Sequence, residues 1–139
     1  MSPSFWVVDT NVVVSAVITA DAASPPAVVL DRMLNAEFNF VLSLDLLSEY
    51  RRVLLRPRIK KLHRLTESEI DILLEALATN GVIVDTTGRN EQAPEPGDNH
   101  LWRLLAARPG LNLITGDALL IENPPPKCRV LRSREFVGT

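Results

Sequence analysis

Short runs of apolar, β-forming residues alternate with helix-forming segments from one end of the chain to the other. The first run, FWVV at 5–8, is apolar at every position, which predicts a strand buried on both faces. Further runs predict strands at 38–42, 82–84, 111–115 and 128–131. Strands separated by helices usually pair in parallel through right-handed crossovers. The alternation therefore predicts an α/β fold in which helices cover both faces of a parallel sheet.

Cap and turn residues mark the helices between these strands. The stretch Thr66 to Glu69 is a capping box that begins a helix, and Gly81 stands where that helix should end. Pro57 should stop the helix predicted over 43–55. Other helices are predicted after residue 10, over 25–35, over 98–108 and in the last few residues.

The totals limit the class of protein. A length of 139 residues suits one domain over 1–139, and a net charge of −2 argues against a polyanion binder by bulk charge. The one cysteine, Cys128, excludes an internal disulfide and a cysteine-based zinc site. No apolar run approaches the roughly 20 residues of a membrane helix. We expect a soluble cytoplasmic protein without a membrane partner.

Four acidic residues fall near the carboxyl ends of the predicted strands. Asp9 follows the first strand, Asp117 follows the fourth, Asp98 begins the helix leading into the fourth, and Glu49 lies in the helix after the second. Parallel strands end at one edge of a sheet, where ligands bind. We therefore expect these carboxylates to converge.

Close carboxylates repel one another unless a cation or a proton lies between them. Neither Lys nor Arg adjoins Asp9, Asp98 or Asp117 in the sequence. Oxygen-only ligand sets favour Mg²⁺ or Mn²⁺, which activate water and stabilise in-line displacement at phosphorus. Each acid also has a purely structural interpretation: Asp9 and Asp98 as helix N-caps, Asp117 as a turn residue and Glu49 as a solvated side chain.

With these residues the chain resembles the PIN-domain nucleases, and among them the stand-alone bacterial proteins paired with an antitoxin. The motifs are V-V-D-T-N-V at 7–12, the glutamate of S-E-Y at 48–50, G-D-N at 97–99 and T-G-D at 115–117. The resemblance implies a three-layer α/β/α sandwich with strand order 3-2-1-4-5. It also implies a Mg²⁺- or Mn²⁺-dependent endoribonuclease, the toxin of a type II toxin–antitoxin pair, whose RNA products carry a 5′-phosphate and a 3′-hydroxyl.

The same resemblance assigns roles to individual residues. Asp9, Glu49, Asp98 and Asp117 would be the catalytic metal ligands. Thr10 or Asn11 would orient the first carboxylate, and Thr115 would bond near the metal or the scissile phosphate.

The chain departs from the family pattern at three places. Glu95 replaces the first acid of D-x-x-D, while Asn99 and Ala118 follow Asp98 and Asp117 where relatives often have another acid; Glu122 is the one later acid nearby. One metal ion is therefore expected rather than two.

A basic segment follows Glu49. Residues 51–64 contain seven of the 15 Lys and Arg residues, and Arg51, Arg52, Arg56 and Arg58 are the candidates for RNA binding. A solvated helix end explains this charge equally well. His100 is expected to be peripheral to the site, and the apolar residues Leu73, Leu74 and Leu77 serve either as a homodimer face or as core.

Other acidic or cofactor-binding α/β proteins fit less well. A receiver domain needs adjacent acids after the first strand, a haloacid-dehalogenase-type phosphatase needs D-x-D, and a Rossmann domain needs glycines there. The first strand is instead followed by D-T-N. The remaining alternative is a non-catalytic PIN-like module that binds RNA or protein.

Overall fold

The computed structural model describes residues 4–139, and its centre is a parallel sheet of five strands. The strands are β1 Phe5–Val8, β2 Asn39–Leu42, β3 Val82–Ile83, β4 Leu111–Ile114 and β5 Arg129–Leu131. Their order is β3-β2-β1-β4-β5, and every neighbouring pair is parallel. Both the predicted α/β class and the predicted order 3-2-1-4-5 are confirmed.

Helices flank the sheet and connect its strands. They are α1 Thr10–Ile18, α2 Pro25–Leu34, α3 Leu44–Leu54, α4 Pro57–His63, α5 Glu67–Asn80, α6 Asn99–Ala107, α7 Ala118–Glu122 and α8 Ser133–Val137, with a 3₁₀ turn at Pro96–Asp98. The capping box of α5 forms as predicted: Glu69 N donates to Thr66 Oγ1 at 3.1 Å, and Thr66 N donates to Glu69 Oε1 at 3.0 Å. Within residues 4–139, no helix is long and apolar enough to cross a membrane.

The central strands explain why the first acid is held rigidly. Val7 and Val8 of β1 are buried and pair in register with Leu113 and Ile114 of β4. The pairing extends one residue further, because Asp9 N donates to Ile114 O at 2.9 Å. The backbone at Asp9 is therefore fixed by the sheet.

Two helices were not expected from the sequence. Pro57 ends α3 as predicted, but it also occupies the first turn of α4, where its fixed φ suits a helix start. The short helix α7 begins directly after Asp117, and its five residues are too few to give a recognisable apolar period.

The leucines of α5 belong to the core. Leu74 and Leu77 are buried, and Leu73 packs against the same core from a partly buried position. These residues therefore form no free homodimer face. The large apolar side chain that α5 does expose is Ile72, at 67%.

The residue after α5, Gly81, is a glycine for a steric reason. Its φ of −87° is an ordinary extended value, so no left-handed conformation demands glycine there. A Cβ at this position would instead lie 2.6 Å from Phe40 Cε2 and 3.1 Å from Leu42 Cδ1. Both neighbours are buried side chains of β2, so they have little room to move.

Gly81→Ala should therefore lower the free energy of unfolding by about 1–3 kcal/mol, as overpacking does in cores. The matched control is Gly97→Ala, because nothing lies within 4 Å of a Cβ built at Gly97. That control should change stability by less than about 0.5 kcal/mol. Urea denaturation of both variants measures the difference, and equal stabilities would contradict the steric explanation.

Candidate functional site

Asp9 lies at the carboxyl end of the central strand and begins α1. Its Oδ1 accepts a hydrogen bond from Thr10 N at 2.8 Å, so the helix-cap interpretation of this residue is correct. The other carboxylate oxygen has different partners. Asp9 Oδ2 accepts from Thr115 Oγ1 at 2.8 Å and from Asn11 Nδ2 at 3.2 Å. A cap alone would not need these two further donors.

Asn11 and Thr115 join the ends of β1 and β4. Asn11 Nδ2 lies 3.2 Å from Thr115 Oγ1, and Asn11 Oδ1 accepts from Gly116 N at 2.8 Å. Thr115 Oγ1 also accepts from Asp117 N at 3.0 Å. The predicted supporting residues Thr10, Asn11 and Thr115 all contact the Asp9 carboxylate. The same network fixes the backbone nitrogen of Asp117 through Thr115.

Burial makes the negative charge of Asp9 costly. It raises the pKa of Asp9 to about 6, even though hydrogen bonds from Thr115 and Thr10 favour the charged form. The negative charges of Asp98 and Glu49 raise the pKa further. Carboxylates from three separated segments therefore act on one another here.

Asp98 occupies the N-cap position of α6, but within the described part of the chain its carboxylate caps no backbone amide. Asp98 therefore has the position of a helix N-cap, as the structural interpretation predicts, but not the hydrogen bond of one. Partial burial raises the pKa of Asp98, and the charges of Asp117 and Glu49 add to that rise. Its oxygens remain available to another ligand.

Asp117 is the N-cap of α7. Its Oδ1 accepts from Leu119 N at 2.9 Å, which leaves Oδ2 for another partner. Asp117 and Asp98 line the same pocket. The turn interpretation of Asp117 thus accounts for one oxygen and leaves the other unexplained.

His100 is the site residue that sequence reasoning missed. Its Nε2 forms a close ion pair with Glu49 Oε2, so the expectation that His100 is peripheral is wrong. Residues two apart within a helix point to different faces, but Asp98 precedes α6, so this spacing does not separate its side chain from that of His100. Residue type was the available signal, because a histidine two residues after a motif aspartate can reach the same edge.

Glu49 and His100 favour each other's charged forms. Burial alone would raise the pKa of Glu49, but the hydrogen bond and positive charge of His100 lower it overall. Burial alone would lower the pKa of His100, but the hydrogen bond and charge of Glu49 raise it overall. Glu49 is only 20% exposed, so it is not the solvated side chain of the structural interpretation.

A buried tyrosine connects α3 to the carboxyl end of β1. Tyr50, next to Glu49 on α3, is fully buried, and its hydroxyl donates to the carbonyl oxygen of Val8. Burial and the charges of Asp9 and Glu49 hold the pKa of Tyr50 well above its usual value. Tyr50 therefore stays a neutral donor that links α3 to the end of β1.

The residues that replace or extend the family pattern differ in their environments, and Glu95 lines the same pocket as Asp98 and Asp117. Glu95 and Glu122 are exposed, although the charge of Glu95 adds to the raised pKa of Asp98. Asn99 has a structural role, because its Oδ1 accepts from Ala93 N at 2.8 Å and holds the preceding loop. Ala118 is the first residue of α7.

The donor set suits a hard divalent cation in its chemistry. It consists of carboxylate oxygens whose repulsion contributes to the raised pKa of Asp9 and of Asp98. The buried hydroxyl group of Thr10 lies close enough to Glu49 to lower its pKa. Among the described residues, however, this hydroxyl has no partner in good hydrogen-bonding geometry. Across residues 4–139, however, no three acidic, histidine or cysteine side chains already form a cluster that could hold a metal ion. Binding would require some of these side chains to turn.

The four predicted RNA-binding arginines differ in their surroundings. Arg51 pairs with α5, at 2.5 Å from Glu67 and 2.8 Å from Asp71. Arg52 is exposed and lies 4.0 Å from Glu49, beside the acidic edge. Arg56 and Arg58, at the start of α4, are exposed.

Comparisons with known proteins agree with this architecture. A family model described as PIN domain matches residues 6–118. The structure titled "Structure of T. brucei RRP44 PIN domain" superposes with a TM-score of 0.54 at 12% identity, covering 99% of this chain and 80% of that one. At that identity the likeness concerns the fold alone. No curated protein matches the chain.

Proposed function

The chain belongs to the PIN-domain family, whose fold is of the nuclease type, and from this membership we propose that it is a metal-dependent endoribonuclease. One observation carries the proposal. Carboxylates from four separate segments interact at the carboxyl edge of the sheet. The charges of Asp98 and Glu49 help to raise the pKa of Asp9, and the charges of Asp117 and Glu49 help to raise the pKa of Asp98. An enzyme that cleaves phosphodiester bonds can use such a set to bind a divalent cation.

Asp9, Glu49, Asp98 and Asp117 would hold the ion, and Mg²⁺ and Mn²⁺ are the cations that suit oxygen ligands. When bound, the cation supplies Lewis acidity: it activates water and neutralises charge that develops on the phosphate. Because no additional acid directly follows Asp98 or Asp117, one ion is proposed rather than two.

The chain's own residues position these ligands. Thr115 and Asn11 fix one oxygen of Asp9, and Thr10 N fixes the other, so this carboxylate cannot rotate freely. His100 holds Glu49 at the edge of the site. Pre-set ligands of this kind lower the reorganisation needed when charge develops in the transition state.

The direct test is cleavage of a labelled single-stranded RNA. Cleavage is expected with Mg²⁺ or Mn²⁺, with products that carry a 5′-phosphate and a 3′-hydroxyl. Excess EDTA should stop it, and added Mg²⁺ should restore it. Cleavage that continues in EDTA would reject the metal-dependent mechanism.

The alternative is a PIN-like module that binds RNA or protein without cutting. The lack of a preformed three-ligand metal cluster among residues 4–139 favours it. RNA binding without cleavage under both metals would support this alternative. Retention of all four acids favours the enzyme, since a binding module has no need of them.

Two arginines at the start of α4 are proposed to contact RNA phosphates. The variant Arg56→Gln/Arg58→Gln should weaken RNA binding, and the slope of log affinity against log salt should fall by about 1.4 if both contact phosphate. The control is Arg32→Gln/Arg129→Gln. Arg129 begins β5 and therefore lies at the amino end of the strands, opposite the acidic edge, and Arg32 lines the same pocket as Arg129. Fluorescence anisotropy at several salt concentrations measures both variants. If the salt slope of the Arg56→Gln/Arg58→Gln variant equals that of the native chain, these arginines contact no phosphate and belong to a solvated helix end.

We further propose that the protein is a toxin held in check by a cognate antitoxin. Induced expression in bacteria should then arrest growth, because uncontrolled RNA cleavage stops protein synthesis. Asp9→Asn should relieve the arrest, and co-expression of an adjacent small open reading frame should do the same. Unimpaired growth at an expression level that degrades RNA in lysates would reject the toxin role.

A further inference from the structure

An apolar pocket opens directly beside two of the acids. It has a volume of about 310 Å³ and is lined by Trp102 of α6, by Leu119 and Leu120 of α7, and by the two acids Asp98 and Asp117. Trp102 stands one helical turn after Asp98, and Leu119 lies two residues after Asp117. Each acid is therefore followed by an apolar side chain that lines the same space.

Leu119 is not needed to attach α7 to the core. Leu120 is buried and anchors α7, whereas Leu119 is 62% exposed at the pocket. Trp102 is only partly buried, although it packs against the core. A wide aromatic ring and an exposed leucine thus form an accessible apolar wall beside a cluster of negative charge.

Phosphate does not suit this wall, because Asp98, Asp117 and the nearby Glu95 are all negative. A flat aromatic group does suit it. Nucleobases stack on aromatic side chains in single-stranded nucleic acid complexes, and each stacked base strengthens binding by about 10-fold or more. Glu95 and Asn123 at the rim offer hydrogen-bond acceptors, which match the exocyclic amino groups of adenine, cytosine and guanine.

We propose that this pocket, formed by Trp102, Leu119 and Leu120, binds an unpaired base next to the scissile phosphate of the RNA. The inference rests on the proposed nuclease function for the position of the phosphate, which would lie at the metal bound by Asp98 and Asp117. It narrows the substrate class to RNA that is single-stranded at the cut. A paired base is stacked within its helix and cannot enter the pocket.

The first test needs no cleavage. Trp102 emission is followed while the full chain is titrated with AMP and Mg²⁺, and in parallel with ribose 5-phosphate and Mg²⁺. AMP should quench the emission, because stacking places adenine on the indole, whereas ribose 5-phosphate should not. Trp6 is 8% exposed and packs edge-on against Phe136, so it adds a constant background. Equal effects of the two ligands would overturn the proposal.

Matched variants locate the effect. Leu119→Ala should weaken AMP binding about 5-fold or more, since it removes exposed apolar surface from the pocket. Ile72→Ala, which removes a similarly exposed side chain from α5, should leave AMP binding unchanged. Both residues are exposed, so neither change should prevent folding. Equal AMP affinities for the two variants would also overturn the proposal.

A cleavage experiment separates this inference from the nuclease proposal. An abasic nucleotide beside the cut should lower kcat/KM about 10-fold for the native chain and markedly less for Leu119→Ala. AMP quenching without any RNA cleavage would support the base pocket and reject the nuclease. Cleavage that is indifferent to the abasic nucleotide on either side of the cut would reject the base pocket and keep the nuclease.

Discussion

Asp9→Asn should lower metal-dependent RNA cleavage by at least about 100-fold while the protein remains folded. Loss of even an indirect metal contact commonly costs 10- to 100-fold, and Asp9 is proposed as a direct ligand. A carboxamide is neutral and offers one acceptor oxygen where the carboxylate offers two. Thr10 N can still donate to that oxygen, and the amide group can donate to Thr115 Oγ1. Asn11 Nδ2 loses its acceptor on residue 9 but keeps Thr115 Oγ1, so the fold should survive.

The matched control is Asp31→Asn on the exposed face of α2, which makes the same chemical change away from the acidic edge. Initial rates of RNA cleavage are compared over a range of Mg²⁺ concentrations, with circular dichroism to verify folding. The control should cleave at the native rate. Native cleavage by Asp9→Asn would remove Asp9 from the proposed metal site.

The same substitution should stabilise the metal-free protein at neutral and alkaline pH. The folded-state pKa of Asp9 is raised from 3.8 to about 6, so between these values the folded state holds a proton that the unfolded chain has lost. Stability therefore falls as pH rises through this window, and the loss is complete above about pH 6. The shift corresponds to about 3 kcal/mol at most.

The neutral carboxamide in Asp9→Asn has no charge to bury, so the variant should avoid this loss. Its weaker hydrogen bonds offset part of the gain, by about 1 kcal/mol, which leaves a net stabilisation of about 1–2 kcal/mol at pH 8. Urea denaturation in EDTA at pH 4 and pH 8 measures the difference, and at pH 4 the gain should disappear. A variant less stable than the native chain at pH 8 would show that burial of the Asp9 charge costs little.

The sequence was sufficient to predict the strands of the sheet and the acids that follow them. Strand β1 is apolar throughout, and D-T-N follows it directly, so the position of Asp9 depends only on local chain order. Asp117 follows β4 after only two further residues. Family resemblance supplied the strand order, because short apolar runs do not reveal which strands are neighbours.

The contacts that depend on side-chain direction were not predictable. Arg51 turns toward Glu67 and Asp71 of α5, a pairing across a loop and a helix that no local pattern encodes. His100 meets Glu49 because α3 and α6 approach each other at the sheet edge. Both cases depend on helix packing, for which sequence separation carries no information.

The hydrogen bonds that join β1 to β4 divide the acidic edge into two unequal parts. Asp9 and Asp117 follow adjacent central strands, and hydrogen bonds through Asn11 and Thr115 connect them, so we call them the joined pair. Glu49 and Asp98 extend from α3 and from the 3₁₀ turn, outside that pair. A bound cation would therefore have two ligands, Asp9 and Asp117, that the joined strand ends hold in place, and two more, Glu49 and Asp98, whose positions depend on how α3 and the 3₁₀ turn pack.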